Sequence, residues 1–195
     1  MKHWKVVVLV LIVGGAAAFA GFRLSRDTRP APRAVAGSTL PVSGEASPEI
    51  RIKDLEGREH SLTEWRGKIL VVNFWATWCP PCVIEIPGFV QLQSELQSQG
   101  LQFVGIALDD SAAAGQFAHA RGINYPILAG SDNVMHLMEG LGNGIGALPF
   151  TVVFDREGHP VHTQQGEWAV RDVRRTLAPL LDPGARSSLP AEIRR

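Results

Sequence analysis

The apolar run Ile69-Leu-Val-Val-Asn-Phe-Trp75 leads through Ala76-Thr-Trp78 into Cys79-Pro-Pro-Cys82, which holds the only two cysteines of the chain. A run of this kind reads as a buried strand, and the pair at its end as a redox dithiol. Closing so small a ring restrains the unfolded chain very little, because the stabilisation from a disulfide grows with the loop it closes. The pair is therefore explained by chemistry and not by stability.

Composition bounds the rest. With 195 residues, 45% of them hydrophobic, the chain can bury one good core. Lys plus Arg and Asp plus Glu balance at 19 each, so the charge gives no reason to expect a nucleic-acid partner. Val6 to Phe22 carries no charged side chain and is followed by Arg23, Arg26, Arg29 and Arg33. As a helix this segment would measure roughly 26 Å, at the lower edge of a membrane span. Residues 1–23 are thus an N-terminal anchor, or else a signal peptide cleaved near Ala18-Phe-Ala20 to release a soluble periplasmic protein. The anchor is the preferred reading. Counting positive flanks alone would leave the C-terminal domain in the cytoplasm. Large domains translocate largely regardless of such charges, however, and a tethered dithiol belongs where disulfides accumulate. The expected location is the inner membrane, single-pass, with the catalytic domain in the periplasm.

Residues 24–47, with Pro30, Pro32, Gly37, Pro41 and Gly44 and few large apolar side chains, are expected to form a flexible linker. From 48 to 182 strand and helix patterns alternate. Glu49 to Lys53 reads as an edge strand, Ser61-Leu-Thr-Glu64 as a capping box opening a short helical turn, and Ile69 to Trp75 as the buried strand. A long helix follows from the dithiol to Gly100. Then come a strand over Leu101 to Leu108, a helix over Ala112 to Arg121, a short strand over Tyr125 to Leu128 and a helix over Val134 to Leu141. A hairpin of Phe150 to Phe154 with Val161 to Gln165 and a helix over Val170 to Leu181 close the domain, and 183–195 reads as a flexible tail. Alternation of this kind predicts an α/β fold, a central sheet flanked by helices, with the active groups at the carboxyl end of a central strand. Gly142-Asn-Gly144-Ile-Gly146 lacks the spacing of a dinucleotide fingerprint and is a turn.

A thiol attacks a disulfide only as thiolate, and a helix N-terminus favours that form. Cys79 is expected to be the exposed nucleophile and Cys82, one turn inward, the resolving thiol. Pro80 and Pro81 cannot donate backbone N–H groups, and no basic side chain separates the cysteines. The Cys79 thiolate is then only moderately stabilised and the couple reducing, nearer roughly −270 mV than roughly −120 mV. Glu85 lies three residues beyond Cys82 on the same helical face. It either complements the helix dipole from the first turn or, half-buried, accepts the Cys82 proton. Trp78 shields the thiol and contacts partners, and no cofactor is implied beyond the Cys79–Cys82 disulfide.

Phe74-Trp-Ala-Thr-Trp-Cys79-Pro-Pro-Cys82, followed by Glu85 and Pro87 and later by Leu148-Pro149-Phe150, resembles the thioredoxin superfamily, specifically its TlpA/ResA-like membrane-tethered branch. The resemblance runs from about Ile50 to Leu181. It implies a thioredoxin-like fold in which Pro149 is cis and faces the dithiol, while the backbone of Leu148 pairs with the substrate chain. The 40 residues between Leu108 and Pro149 imply a strand-helix insertion, which Tyr125 to Leu141 can supply. Asn73 stands where thioredoxins proper carry a buried aspartate, so the resemblance gives the proton to Glu85. Phe150, where Thr or Glu is usual, is expected to influence which partner docks.

The activity implied is thiol:disulfide oxidoreductase, a protein-disulfide reductase. Its clients would be apocytochrome c or copper-site assembly proteins, and its electrons would come from a DsbD/CcdA-like membrane donor. Two rivals share the fold. A Sco-like copper chaperone would draw on His159 and His162, but that family separates its cysteines by three residues. A peroxiredoxin-like peroxidase needs threonine and proline three and seven residues before its cysteine, where Ala76 and Val72 stand. A zinc site lacks a second cysteine pair. His60, His119 and His136 read as surface residues, and Trp65 and Trp168 as core or rim aromatics.

Overall fold

The computed structural model describes residues 51–130 and 132–182. The expected anchor at 1–23, the linker at 24–47 and the tail at 183–195 lie outside the described residues. Among the described residues seven strands form one mixed sheet: β1 (Arg51–Asp54), β2 (Glu59–Ser61), β3 (Ile69–Trp75), β4 (Leu101–Ala107), β5 (Ile127–Ala129), β6 (Phe150–Phe154) and β7 (Pro160–Gln165). Their order across the sheet is β2-β1-β5-β4-β3-β6-β7. The pairs β3/β4 and β4/β5 are parallel, and the other neighbours run antiparallel. Among the described residues four α-helices cover the sheet: α1 (Pro80–Leu96), α2 (Ser111–Ala120), α3 (Asp132–Gly140) and α4 (Val170–Leu181).

β3 is buried along its whole length because both faces of the sheet are covered there, as its uninterrupted apolar run requires. Ile69, Val71 and Trp75 point to one face, joined by Ile86, Phe89 and Leu92 of α1, Ala114 of α2 and Val173 and Leu177 of α4. Leu70, Val72 and Phe74 point to the other, against Val134, Leu137 and Met138 of α3 and Leu62. By the same two-residue alternation Asn73 faces the α1 side.

α1 starts where it does because Pro80 and Pro81 occupy the first helical positions, whose N–H groups would have no partner in any case, with Cys79 as N-cap. A short 3-10 turn (Gln97–Gln99) tightens its end, and Gly100 stops it at φ 93°, a left-handed conformation that favours glycine. Buried Gln93 accepts the Phe103 N–H at 2.7 Å and ties α1 to β4.

Several details differ from the sequence reading: the short strand expected from Tyr125 starts at Ile127, and the long helix ends at Leu96, short of Gly100. β1 is not at the edge; it is bracketed by β2 and β5, and the edge belongs to the three-residue β2. His60 is also more than a surface residue. Its ring joins Glu64 Oε2 at 2.8 Å and Asp54 Oδ2 at 3.0 Å and stacks on Trp65. The hydrogen bond to Glu64, then that to Asp54, raises the His60 pKa. This network fastens the β1–β2 turn to the 3-10 turn Leu62–Trp65, whose capping box is present, with the Ser61 N–H donated to Glu64 Oε1 at 2.9 Å.

Candidate functional site

Cys79 and Cys82 are joined by a disulfide at the carboxyl end of β3. Neither sulfur residue is open to solvent: Cys79 is 5% exposed and Cys82 0%. The expected order of accessibility is present, yet Cys79 is not the exposed residue foreseen, because it packs into the cluster that also holds Cys82, Ala76 and Trp168. Trp78, beside Cys79, is exposed at 66%, and Pro80 and Ile84 are exposed as well. As N-cap, Cys79 makes no side-chain capping bond, so its sulfur takes no helix N–H.

The loop that carries Trp78 and Cys79 is held from β4. Asp109, two residues past that strand, accepts the Thr77 N–H at 2.7 Å and the Thr77 hydroxyl at 3.2 Å. Leu108 donates its N–H to the Trp75 carbonyl at 2.9 Å. Sequence reasoning missed Asp109, although an aspartate just past a parallel strand is well placed to accept from a neighbouring loop.

The second loop at this end is Leu148-Pro149, joined by a cis peptide bond. Phe150 pairs with Phe74 across the sheet, so Pro149 arrives beside the start of the dithiol loop. Leu148 is half-buried and packs against both apolar clusters, whereas Pro149 is buried. Asn143 shapes the approach: its amide donates to the Ala147 carbonyl at 2.8 Å and accepts the Ala147 N–H at 3.1 Å. Phe150 differs from expectation, being 1% exposed and stacked on Phe74 on the far face of the sheet, so its ring is not available to a docking partner.

Glu85 is neither in the first turn of α1 nor half-buried; it is 4% exposed, with no acidic side chain in the first turn. The dipole-complementing reading therefore fails. The carboxylate is wedged between β3 and the segment leading into α4. Asn73 Nδ2 donates to its Oε1 at 2.8 Å and the Trp168 backbone N–H to its Oε2 at 2.9 Å. Asn73 Nδ2 also donates to Thr151 Oγ1 at 3.0 Å. Burial penalises the charged form and outweighs both hydrogen bonds, with the Glu167 charge adding to the rise, so the Glu85 pKa is pushed up to about 7. A carboxyl group poised there can take or return a proton at neutral pH. Asn73, Thr151 and Trp168 escaped the sequence reading as partners, since they come from three elements far apart in the chain.

The histidines of the copper reading have different surroundings. His159 sits on the β6–β7 turn, at the opposite end of β6 from Pro149, beside Asp155. His162 stacks on Trp168 with ring centroids 5.1 Å apart, and burial lowers its pKa. Among the described residues no group of three His, Cys, Asp or Glu side chains is arranged to hold a metal ion.

Comparison with known proteins places these features. Residues 43–162 match the AhpC/TSA family. The chain is 33% identical over 141 residues to the thiol-disulfide oxidoreductase ResA of Geobacillus thermodenitrificans, covering 71% of this chain and 78% of that one. It is 29% identical over 133 residues to ResA of Bacillus subtilis, covering 67% and 72%. Among solved structures, a thioredoxin-family thiol:disulfide interchange protein from Chlorobium tepidum superposes with a TM-score of 0.65 at 30% identity, covering 73% of this chain and all of that one. With a thioredoxin-like mixed sheet, a Cys-Pro-Pro-Cys pair at the head of α1 and these relatives, the chain belongs to the AhpC/TSA family and, within it, to the ResA/TlpA-like thiol:disulfide oxidoreductases.

Proposed function

We propose that the protein is a membrane-tethered reductase of client disulfides whose domain, residues 48–182, works on the periplasmic side of the inner membrane. The single observation that carries the reductase reading is the buried Glu85 on the same face of α1 as Cys82, three residues on, with both its oxygens held by donors. Cys79, as thiolate, attacks one sulfur of the client disulfide and releases the other. The resulting mixed disulfide is resolved by Cys82, whose proton passes to Glu85 as its sulfur bonds to Cys79 and the client sulfur leaves as a thiolate. Trp78, Leu148 and Pro149 hold the client chain against the pair. The dithiol is the only redox group the reaction needs, and the protein leaves the cycle oxidised.

Electrons then come from a DsbD/CcdA-like membrane donor. The clients are apocytochrome c or proteins that assemble a copper site, both of which need reduced cysteine pairs. The uncharged segment Val6 to Phe22 supports the tether. A Cys82→Ala variant tests the scheme, because it halts at the mixed disulfide: expressed in cells, it should retain covalently bound client that Cys79→Ala does not. Redox titration supplies the second measure. A couple well below roughly −180 mV is expected, and one above that value would make the protein an oxidant or isomerase.

A further inference from the structure

Asn73 is fully buried in the middle of β3, and only one end of its amide is used. Nδ2 donates to Glu85 Oε1 and Thr151 Oγ1, while Oδ1 has no hydrogen-bond partner among the described residues. A buried acceptor left unpaired costs about 1–3 kcal/mol, so its persistence in the site calls for a reason. The arrangement suits a charged Glu85, both of whose oxygens accept. It does not suit a protonated Glu85, one of whose oxygens must donate. Trp168 contributes a backbone N–H, which cannot become an acceptor. Thr151 contributes a hydroxyl, which accepts and donates equally well. Asn73 carries both kinds of atom on one rotatable plane.

We propose that Asn73 is a proton-responsive positioning residue: it donates to the Glu85 carboxylate through Nδ2, and turns its amide over to accept the Glu85 O–H through Oδ1 once the acid is formed. The Thr151 hydroxyl reverses with it, from acceptor of Nδ2–H to donor to Oδ1. The turn keeps two hydrogen bonds and reverses their direction, leaving Nδ2 unpartnered where Oδ1 is unpartnered now. The inference rests on the reading of Glu85 as acceptor of the Cys82 proton. In the resolving step the Cys82 S–H bond breaks, its proton goes to Glu85, the Cys82–Cys79 bond forms and the client sulfur leaves with the electron pair of the mixed disulfide. The turned amide then gives the new O–H a partner in a site closed to water. Cys82 on its own helix is held in the disulfide, and the other titratable groups around this carboxyl are Glu167 ahead of α4, Tyr125 ahead of β5, and His162 of β7 behind Trp168. None is hydrogen-bonded to either Glu85 oxygen; those bonds come from Asn73 and Trp168.

The chain has four asparagines, so selective labelling with 15N-asparagine yields a sparse side-chain amide spectrum, with Asn73 assigned by its loss in Asn73→Asp. In the oxidised full-length chain in detergent, the Asn73 Nδ2 resonance is expected to move with the same midpoint as the Glu85 carboxyl carbon, and its contacts to Thr151 and Glu85 to weaken on the acid side. A Glu85 carbon that titrates while the Asn73 amide signals and contacts stay fixed overturns the switch and leaves the Glu85 reading intact. If instead the pH profile of mixed-disulfide release is the same in Glu85→Gln as in the native chain, the Glu85 reading falls and takes the switch with it. Asn73→Leu adds an independent check. A two-way partner supports both forms of Glu85, so its removal moves the midpoint by less than about half a unit. A fixed donor supports the carboxylate alone, and its loss would raise the midpoint by roughly a unit or more.

Discussion

Ionising a side chain that is 4% exposed costs free energy even when both of its oxygens are hydrogen-bonded, and Glu85 is in that position. Its folded pKa of about 7 lies above the ordinary value of 4.5. A raised folded pKa means that the contribution to stability is fully present below about pH 4.5 and is lost as pH rises through about 7. The loss amounts to something on the order of 3 kcal/mol. Urea unfolding of the oxidised protein at pH 4.5 and pH 8 is therefore expected to show the native chain losing stability relative to Glu85→Gln over that interval, and a constant difference would refute the buried-acid assignment. Much of this site was legible at the level of single residues. Cys79, Cys82 and Glu85 announce themselves by spacing on one helix, and Leu148-Pro149 by likeness to the family. Asn73 was legible only as the absence of an acid. Its service as a donor depends on β3, β6 and the Trp168 segment meeting in space, and no local pattern encodes that.

The elements follow the sequence where a packed face imposes a period, and depart from it where none is imposed. β3, β4 and α4 carry long apolar patterns and fall within a residue of where those patterns place them, while α1 ends as an α-helix at Leu96, with a 3-10 turn over Gln97–Gln99 before Gly100. β2 is three residues, Glu-His-Ser, with a polar outer edge, too short and too polar to signal a strand; overlooking it is what moved β1 to the edge. The crossing of α1 and α4 is a feature the pattern conceals. Gly88 sits mid-helix, where glycine ordinarily costs roughly 0.5–1 kcal/mol relative to alanine, yet a Cβ there would clash with Cγ2 of Val170 at the start of α4. The stiffness of a β-branched side chain limits its retreat. Gly88→Ala should therefore destabilise the protein by about 1–3 kcal/mol despite its better helix propensity. Adding Val170→Ala should recover most of that loss. Denaturation midpoints of the two variants decide it, and a stabilised single mutant would show that the helices separate freely.

At the scale of the whole molecule, the direction of electron flow is a statement about which redox form the fold prefers. The potential of the folded couple differs from that of an unfolded Cys-x-x-Cys by the difference in folding stability between oxidised and reduced protein. Because the ring is so small, the disulfide changes the unfolded chain little, and the comparison reports on the native state. Here the native state offers a thiolate little. Cys79 has prolines at the first two helical positions and makes no side-chain cap bond, and Cys82 is fully buried beside an acid whose charge would oppose a second anion. A strong oxidant such as DsbA is built the other way, with its reduced form stabilised. The oxidised chain is therefore expected to melt above the reduced chain, by roughly 4 °C for each kcal/mol of difference in a domain of this size. Thermal melts with and without a phosphine reductant measure this directly. The reverse order, with the reduced form melting higher, would mark an electron acceptor for thiols and remove the thermodynamic basis for reductase activity.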